Sequence, residues 1–567
     1  VADFRELLSE QDTFASFYAH AGPGCLHIRP LVNTKTVEGI EQMAAIADGA
    51  TDLVIEYGGS VSGEHGDGRA RTQWNRKLYG QAVWEQFREL KAAFDPDWLL
   101  NPGQVCGYGA DETIPDGVPP RARAVNMTDD LRFDPDYDFE MSFEPSLHWD
   151  NENGFQGMVE LCHGCGGCRG PQETTGGVMC PTYRAADEES TATRGRANAL
   201  RQAMSGDLPD DPTDEVFVAE IMDLCIGCKG CAKDCPSEVD MAKLKAEVEH
   251  AHHQEHGSSL RSKLFANIDT LSAWGSRLAP VSNWLANAPG SDRLAERLVG
   301  IASERAVPTF HRESFEDWFA DRGPDVTPRE ADRRVLLVPD TYNNYSDPAV
   351  LKAAVEVLEA ANVHVDVPSS VTSSGRAAHS KGFLDVARER ARTNVDALDA
   401  PVADGWDVVL VEPSDAVMFQ SDYRDLLGAD ADAVAASSYG LCEYVDRFGL
   451  DERIDWQTGT ESLTYHGHCH QKAVSRDHHA VGVLRRAGYE VDPLDSGCCG
   501  MAGSFGYEAE HYSMSQAIGR VLFEQVADSS GDSVVAPGAS CRTQLGDRRG
   551  HESPSHPVER LAAAIES

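Results

Sequence analysis

Positive charge is scarce in this chain. Fifty lysines and arginines stand against 92 aspartates and glutamates, a formal net charge of −42 over 567 residues. With no basic surface to neutralise phosphates, nucleic acid is not expected as a partner. The acidic excess runs through every segment and does not gather in a tail, so it reads as the surface of a folded protein. Such a surface suits the high-salt cytoplasm of a halophile, where screening removes self-repulsion. Long hydrophobic runs are also missing: no apolar stretch reaches the roughly 18 residues of a membrane span, and no signal peptide is expected. The glycine-rich loop at 58–68 is neither a Rossmann fingerprint nor a P-loop. No methionine opens the chain; Val1 leads into a helix-like segment, which reads as a fragment or a split gene product.

Cysteine is not scarce. Fifteen are present, in triplets and pairs, and point to a reducing, cytoplasmic compartment. Cys225, Cys228, Cys231, Cys235 and Pro236 spell C-x2-C-x2-C-x3-C-P, the bacterial ferredoxin run. Cys162, Cys165 and Cys168 form a second triplet, followed after a gap by Cys180-Pro181. A [4Fe–4S] cubane needs four thiolates; a tight triplet wraps three corners, and in two-cluster ferredoxins the fourth comes from the other motif. Cys162, Cys165, Cys168 and Cys235 are therefore assigned to one cluster, and Cys225, Cys228, Cys231 and Cys180 to the other. A zinc ribbon would show two C-x2-C pairs, not two triplets each with a Cys-Pro.

Residues 1–107 carry two motifs, Tyr18-Ala-His20-Ala-Gly-Pro-Gly-Cys25-Leu-His27-Ile-Arg29-Pro30 and Gly58-Gly-Ser-Val-Ser-Gly-Glu64-His65-Gly-Asp-Gly68. His20 and His27 flank a Gly-Pro-Gly turn that can fold them toward one point. With Glu64 they make a candidate divalent metal set with an open position for substrate; paired histidines beside a turn are also often structural. His65 is a candidate base near neutral pH. Together with the ending Phe94-Asp-Pro-Asp-Trp98-Leu-Leu-Asn-Pro-Gly103, these motifs resemble the C-terminal cap of FAD-linked oxidases of the D-lactate dehydrogenase and glycolate oxidase kind. The resemblance implies that His20, His27 and Glu64 hold a metal that binds a 2-hydroxy acid, and that His65 takes the hydroxyl proton while hydride leaves for the flavin. Ala19, Pro23 and Cys25 depart from the usual Gly, Asp and Asn. Arg29 has two readings, a fork for the substrate carboxylate or a surface salt bridge. In that family FAD sits in a separate domain, so a partner subunit or further domain is expected to supply it.

Residues 108–150, rich in Asp, Pro and Glu, read as an extended linker. A two-cluster domain is expected over 151–250 and a helical connector over 251–330, with Phe265, Trp274, Trp284, Leu285 and Trp318 at helical spacing as core packing between domains. A membrane-docking or quinone-facing role for this connector is the other reading.

The last third is a duplication. Val335–Val338 through Val357–Val363 to Ser373-Ser374-Gly375 parallels Leu463–His466 through Val483–Tyr489 to Cys498-Cys499-Gly500, each reading as a strand–helix–strand α/β unit. The second copy, 456–567, gathers Cys469, Cys498, Cys499 and Cys541, and adjacent cysteines do not easily bridge each other. It resembles the cysteine-rich "CCG" domain of heterodisulfide reductase and of glycolate and lactate oxidase iron–sulfur subunits, on His468-Cys469-His470-Gln-Lys472, Gly497-Cys-Cys-Gly-Met-Ala-Gly-Ser-Phe-Gly506 and Ser540-Cys541-Arg542. A metal or cluster is expected there. The first copy, 331–455, has Ser373-Ser374 for the cysteine pair and Asp415 for Cys541; it is expected to be scaffold without a soft metal. Cys106 and Cys442 have no evident partner.

The fold expected is multidomain α+β and α/β: an FAD-linked oxidase cap remnant, a helical two-cluster ferredoxin-like domain and duplicated α/β CCG domains. The leading function is part of a flavin- and iron–sulfur-dependent 2-hydroxyacid dehydrogenase acting on D-lactate or glycolate. Electrons would pass through the clusters to a quinone or other acceptor, at a site in the cytoplasm or peripheral on the inner face of the membrane. An electron-transfer subunit without a substrate site, or a heterodisulfide reductase-like protein, are the alternatives.

Overall fold

The computed structural model describes residues 1–133, 139, 141–170, 179–208, 211–457, 461–548 and 553–565. The chain divides into two compact units, Val1–Asp138 and Phe139–Ser567.

The first unit is built on an antiparallel hairpin, β1 (Ala15–His20) and β2 (Cys25–Pro30), turned by Ala-Gly-Pro-Gly with Gly24 at φ +74°. A helix Val37–Glu56 follows, its first turn capped by the Thr36 hydroxyl, which accepts from Gly39 N at 3.1 Å. The loop 58–67 then leads into the helices Gly68–Tyr79 and Gln81–Phe94. Trp84, Trp98, Cys106 and Ala122 form the small core, which gives Cys106 a packing role.

The segment read as an extended linker divides between the units. Its early part is stitched to the first unit: Tyr108 bridges Arg123, and Arg76 pairs with Asp111 at 3.0 Å. Its later part belongs to the second, where Glu247 accepts from Ser146 N at 2.8 Å and Leu147 N at 2.7 Å. Residues 134–138 and 140 of that span lie outside the described residues.

In the second unit the cysteine-bearing region packs around Phe155, Val159, Leu200, Met222, Leu244 and Val248. The helix Met241–His256, capped by Asp240, is buried along most of its length despite its charge. Lys243, Lys245, Glu247 and Glu249 are all buried there, each with a polar partner, as burial of charge demands. The connector corrects one expectation. Trp274, Trp284 and Leu285 are 57%, 70% and 57% exposed, so they are not core. Helical spacing records an apolar face without saying what it meets. Phe265 lines a cavity, and Trp318 packs at the edge of the α/β core. No helix among the described residues is long and apolar enough to cross a membrane.

Two parallel sheets follow. The first runs β4-β3-β5-β6, with β3 Arg333–Leu337, β4 Val363–Asp366, β5 Asp407–Leu410 and β6 Ser438–Gly440. The second runs β8-β7-β9, with β7 Ser462–Tyr465, β8 Glu490–Pro493 and β9 Ser533–Val535. Leu337 pairs with Val409 in the first and Tyr465 with Val535 in the second, so the copies are in matching register. Their strands are short; Val335–Leu337, Val408–Leu410 and Leu463–Tyr465 are buried, as expected for inner strands covered on both faces, whereas the edge strand Glu490–Pro493 is mostly exposed. One apolar cluster draws on both copies, among them Val335, Val357, Val409, Leu463, Val483 and Val535.

Candidate functional site

Directly opposed residues of an antiparallel pair share a face. His20 opposes Cys25 and Tyr18 opposes His27, so His20 and His27 are diagonal neighbours, with ring centroids 5.0 Å apart. Glu64, from the loop 58–67, reaches both: Oε1 lies 2.7 Å from His27 Nε2 and Oε2 lies 3.4 Å from His20 Nε2. One ligand atom from each of the three falls within 4.8 Å of the others. His27 Nε2 is buried yet forms no hydrogen bond, although a carboxylate oxygen is close. An imidazole nitrogen aimed in this way suits a divalent cation between the two groups better than a hydrogen bond, and the N2O donor set matches such an ion. His65 Nε2 stands 3.1 Å from Glu64 Oε1 and is largely exposed. Cys25 fixes the approach of the loop, because a Cβ on Gly63 would come 2.6 Å from its sulfur. Arg29 is exposed on the same strand face as His27, and among the described residues no ion pair engages it.

In the second unit Cys180, Cys225, Cys228 and Cys231 line one small cavity with Met179, Thr193 and Arg196. Pro181 at the first position of the helix Pro181–Ala186 sets the exit of Cys180. Cys162 and Cys168 are buried, Cys165 is exposed and Cys235 half-buried. Arg194 N donates to Cys168 Sγ at 3.4 Å, and burial, followed by the neighbouring Cys180 and Cys162, pushes the Cys168 thiol up to about 11. Four thiols converging on one void fit a cubane.

Ligand-bearing loops of both α/β copies leave the C-terminal ends of parallel strands, where such sheets gather their sites. Cys469 follows β7, Cys498 and Cys499 follow β8, and Cys541 follows β9. All four are buried and free. Cys498, Cys541 and His466 crowd around Cys499 and hold its thiol well below the ordinary value. His466, Cys499 and Cys541 offer ligand atoms within 4.8 Å of one another. Motif reading alone misses His466 as a ligand; its place at the end of β7 is the signal that could find it. Its Nδ1 is 2.6 Å from Ser496 Oγ, while Nε2 makes no hydrogen bond of its own, the arrangement a metal-binding imidazole takes.

In the first copy the matching register puts Thr341 where Cys469 stands and Asp340 where His468 stands. Ser374 donates to Asp415 at 2.5 Å. Burial, then the neighbouring Asp340, pushes the Asp415 carboxyl up to about 8, and burial with Glu412 raises Asp340 to about 6. Hydroxyls and carboxyls have replaced thiols. A cavity of about 270 Å³ lies between the copies and the second cysteine loop, with Ile226, Cys228, Cys469, Cys498, Ser374 and Asp415 on its walls. Cys469 and Cys498 form an apolar contact with Ile226 and Cys228, and His470 Nε2 bonds to the Gly227 carbonyl at 3.0 Å.

A further group, the half-buried Asp223 with the buried Glu508 and His511, is an ion-pair network, since Lys381 and Arg261 also reach Glu508. Burial alone would push His511 down, but bonds to Asp223 and Glu508 hold it raised, at about 9. A group with a raised folded pKa contributes stability that is complete below its unfolded value and lost as pH climbs through the folded one. The urea midpoint should therefore fall between about pH 6.5 and pH 9, and His511→Gln should flatten that part of the profile. An unchanged slope in the variant would assign the loss to other groups.

Comparison with known proteins defines the class. Residues 1–105 match FAD linked oxidases, C-terminal domain; residues 158–239 match the 4Fe-4S dicluster domain; residues 463–546 match the cysteine-rich CCG domain. The chain thus joins an FAD-linked oxidase C-terminal domain, an iron–sulfur dicluster domain and a CCG domain, and these domains go with FAD and iron–sulfur clusters as cofactors. It is 25% identical to the D-2-hydroxyglutarate dehydrogenase of Escherichia coli (strain K12), over 100% of this chain and 57% of that protein. It therefore spans little more than half the length of that relative. Similarity also extends to an anaerobic glycerol-3-phosphate dehydrogenase component of Escherichia coli (strain K12), 27% over 58% of this chain and 83% of the relative. The glycolate oxidase iron–sulfur subunit of Escherichia coli (strain K12) is 23% identical over 72% of this chain and 95% of its own.

Proposed function

We propose that the chain is the substrate-metal and electron-carrying part of an FAD-linked dehydrogenase of D-2-hydroxy acids. The observation that carries this reading is the convergence of His20, His27 and Glu64 beside His65. A divalent ion held by the first three would bind the carboxylate and hydroxyl oxygens of the substrate. His65 would accept the hydroxyl proton, and the exposed Arg29 on the same face suits a carboxylate. Flavin, when bound, supplies the hydride acceptor; an FAD-binding domain or subunit is the partner this needs. Cys162, Cys165, Cys168 and Cys235 would hold one [4Fe–4S] cluster, and Cys180, Cys225, Cys228 and Cys231 the other. The thiol site with His466, and the cavity beside it, would receive the electrons for a quinone or another carrier. The exposed Trp274 and Trp284 suit peripheral association at the inner face of the membrane from the cytoplasm.

Similarity along the whole chain to a D-2-hydroxyglutarate dehydrogenase favours that acid over D-lactate and glycolate as the expected substrate. The test is anaerobic turnover of the chain assembled with its FAD-binding portion, offered each of the three acids. His65→Ala should lower turnover by about 10²–10⁴-fold while the cluster spectra stay intact. Undiminished turnover would remove His65 from the mechanism, and failure of all three acids to reduce the protein would sink the substrate class.

A further inference from the structure

The two cysteine loops differ at one telling position. The first reads Cys162-His-Gly-Cys165-Gly166-Gly-Cys168, and the second reads Cys225-Ile-Gly-Cys228-Lys229-Gly-Cys231. Gly166 and Lys229 hold equivalent places and share a left-handed backbone, at φ +76° and +59°. Glycine adopts that conformation freely, whereas a side chain there is strained. The first loop shows that the turn needs no lysine. Its side chain therefore serves something other than the turn.

Lys229 is buried, and its ammonium pairs with Asp422, which is fully buried. Arg376 Nη2 lies 2.5 Å from the other oxygen of Asp422. Asp422 closes a π-helical turn, Met418–Asp422, a geometry that recurs at functional sites. Both Asp422 and Arg376 belong to the copy that has lost its thiols. Lys229, Arg376 and Asp422 thus carry two cations and one anion in a poorly hydrated setting; Asp240 and Asp425 also act on Lys229, Asp425 being paired with Lys243, and Lys229 itself lines the cavity of Cys180, Cys225, Cys228 and Cys231. Beside the first loop, Arg194 and Arg169 share Glu189 at 2.7 Å and 3.2 Å. That group has the same formal balance but is substantially exposed, so water screens it.

We propose that Lys229, held by Asp422 and Arg376, is a positioning residue that raises the reduction potential of the second cluster above that of the first. A buried, weakly screened positive charge favours the reduced cluster, which carries one more electron. The consequence is directional. Cys228 lies against Cys469 and Cys498, so the second cluster is the exit toward the thiol site, and the higher potential there makes transfer to it downhill.

This inference rests on the reading that the four thiols hold a cluster. Iron, sulfide and two distinguishable EPR signals in the anaerobically reconstituted, unmodified full chain test that reading separately. Potentiometric EPR titration then tests the charge. Lys229→Gly gives the second loop the backbone of the first; it should keep both clusters and lower only the second midpoint potential. Asp422→Asn leaves Lys229 and Arg376 unbalanced and should raise that same potential. Lys229→Arg should return it close to the unmodified value. Unmoved potentials with full cluster content, or a fall in Asp422→Asn, would overturn the proposal. Loss of the second cluster in Lys229→Gly would overturn it too, because the lysine would then be a structural clamp.

Discussion

Replacing Cys180 with serine will cost the chain about half of its iron and inorganic sulfide, and the loss will fall on one EPR signal only. In sequence Cys180 follows the first triplet, and a local reading would give it to Cys162, Cys165 and Cys168. In space it shares a cavity with Cys225, Cys228 and Cys231. A hydroxyl does not replace a thiolate on iron, so the second cluster loses a corner. Cys235→Ser should remove the other signal, because the remaining triplet draws its fourth thiolate from the far motif. If Cys180→Ser and Cys162→Ser were to abolish the same signal, the crossed arrangement would be wrong. The fold should survive in either variant, since the surrounding core is carried by Phe155, Leu200, Met222 and Leu244.

Glu64→Gln will lower divalent-metal affinity by at least about 100-fold and turnover with it. Glu64 supplies the only anionic ligand of its group, and its two oxygens face His20, His27 and His65. Glutamine keeps the shape and removes the charge. The side chain is 38% exposed, so folding should be little disturbed. Calorimetric titration of manganese or zinc into the full chain reads the affinity without turnover. Metal bound as tightly as before would show that the two histidines are a structural pair.

What a linear reading reaches is whatever is local. Cysteine spacing yields the eight ligand candidates, and a Gly-Pro-Gly turn between two histidines anticipates a hairpin bringing His20 near His27. The duplicated strand and helix pattern anticipates two α/β units, because the apolar runs at Val335–Val338 and Leu463–Tyr465 are each bounded by polar loops. Contacts across long separations are out of reach. Lys229 and Asp422 are 193 positions apart, and nothing in either neighbourhood announces the other. His466 escapes notice because it adjoins a richer motif, although a strand end in a parallel sheet is where a ligand emerges. Trp274 and Trp284 carry the opposite lesson. Their spacing marks an apolar face, yet whether that face is covered depends on neighbours that periodicity does not name.

Val335 and Val409 share their packing with Leu463 and Val535, and this joint interior changes what the duplication means. Neither copy owns a complete set of apolar neighbours, so a cut near residue 456 would wet both halves and leave neither an independent module. One half was free to shed its sulfur chemistry because foldedness is a property of the couple. The same bond makes the shed half indispensable: it cannot be discarded in evolution or trimmed in the laboratory without dissolving the half that still carries the thiols.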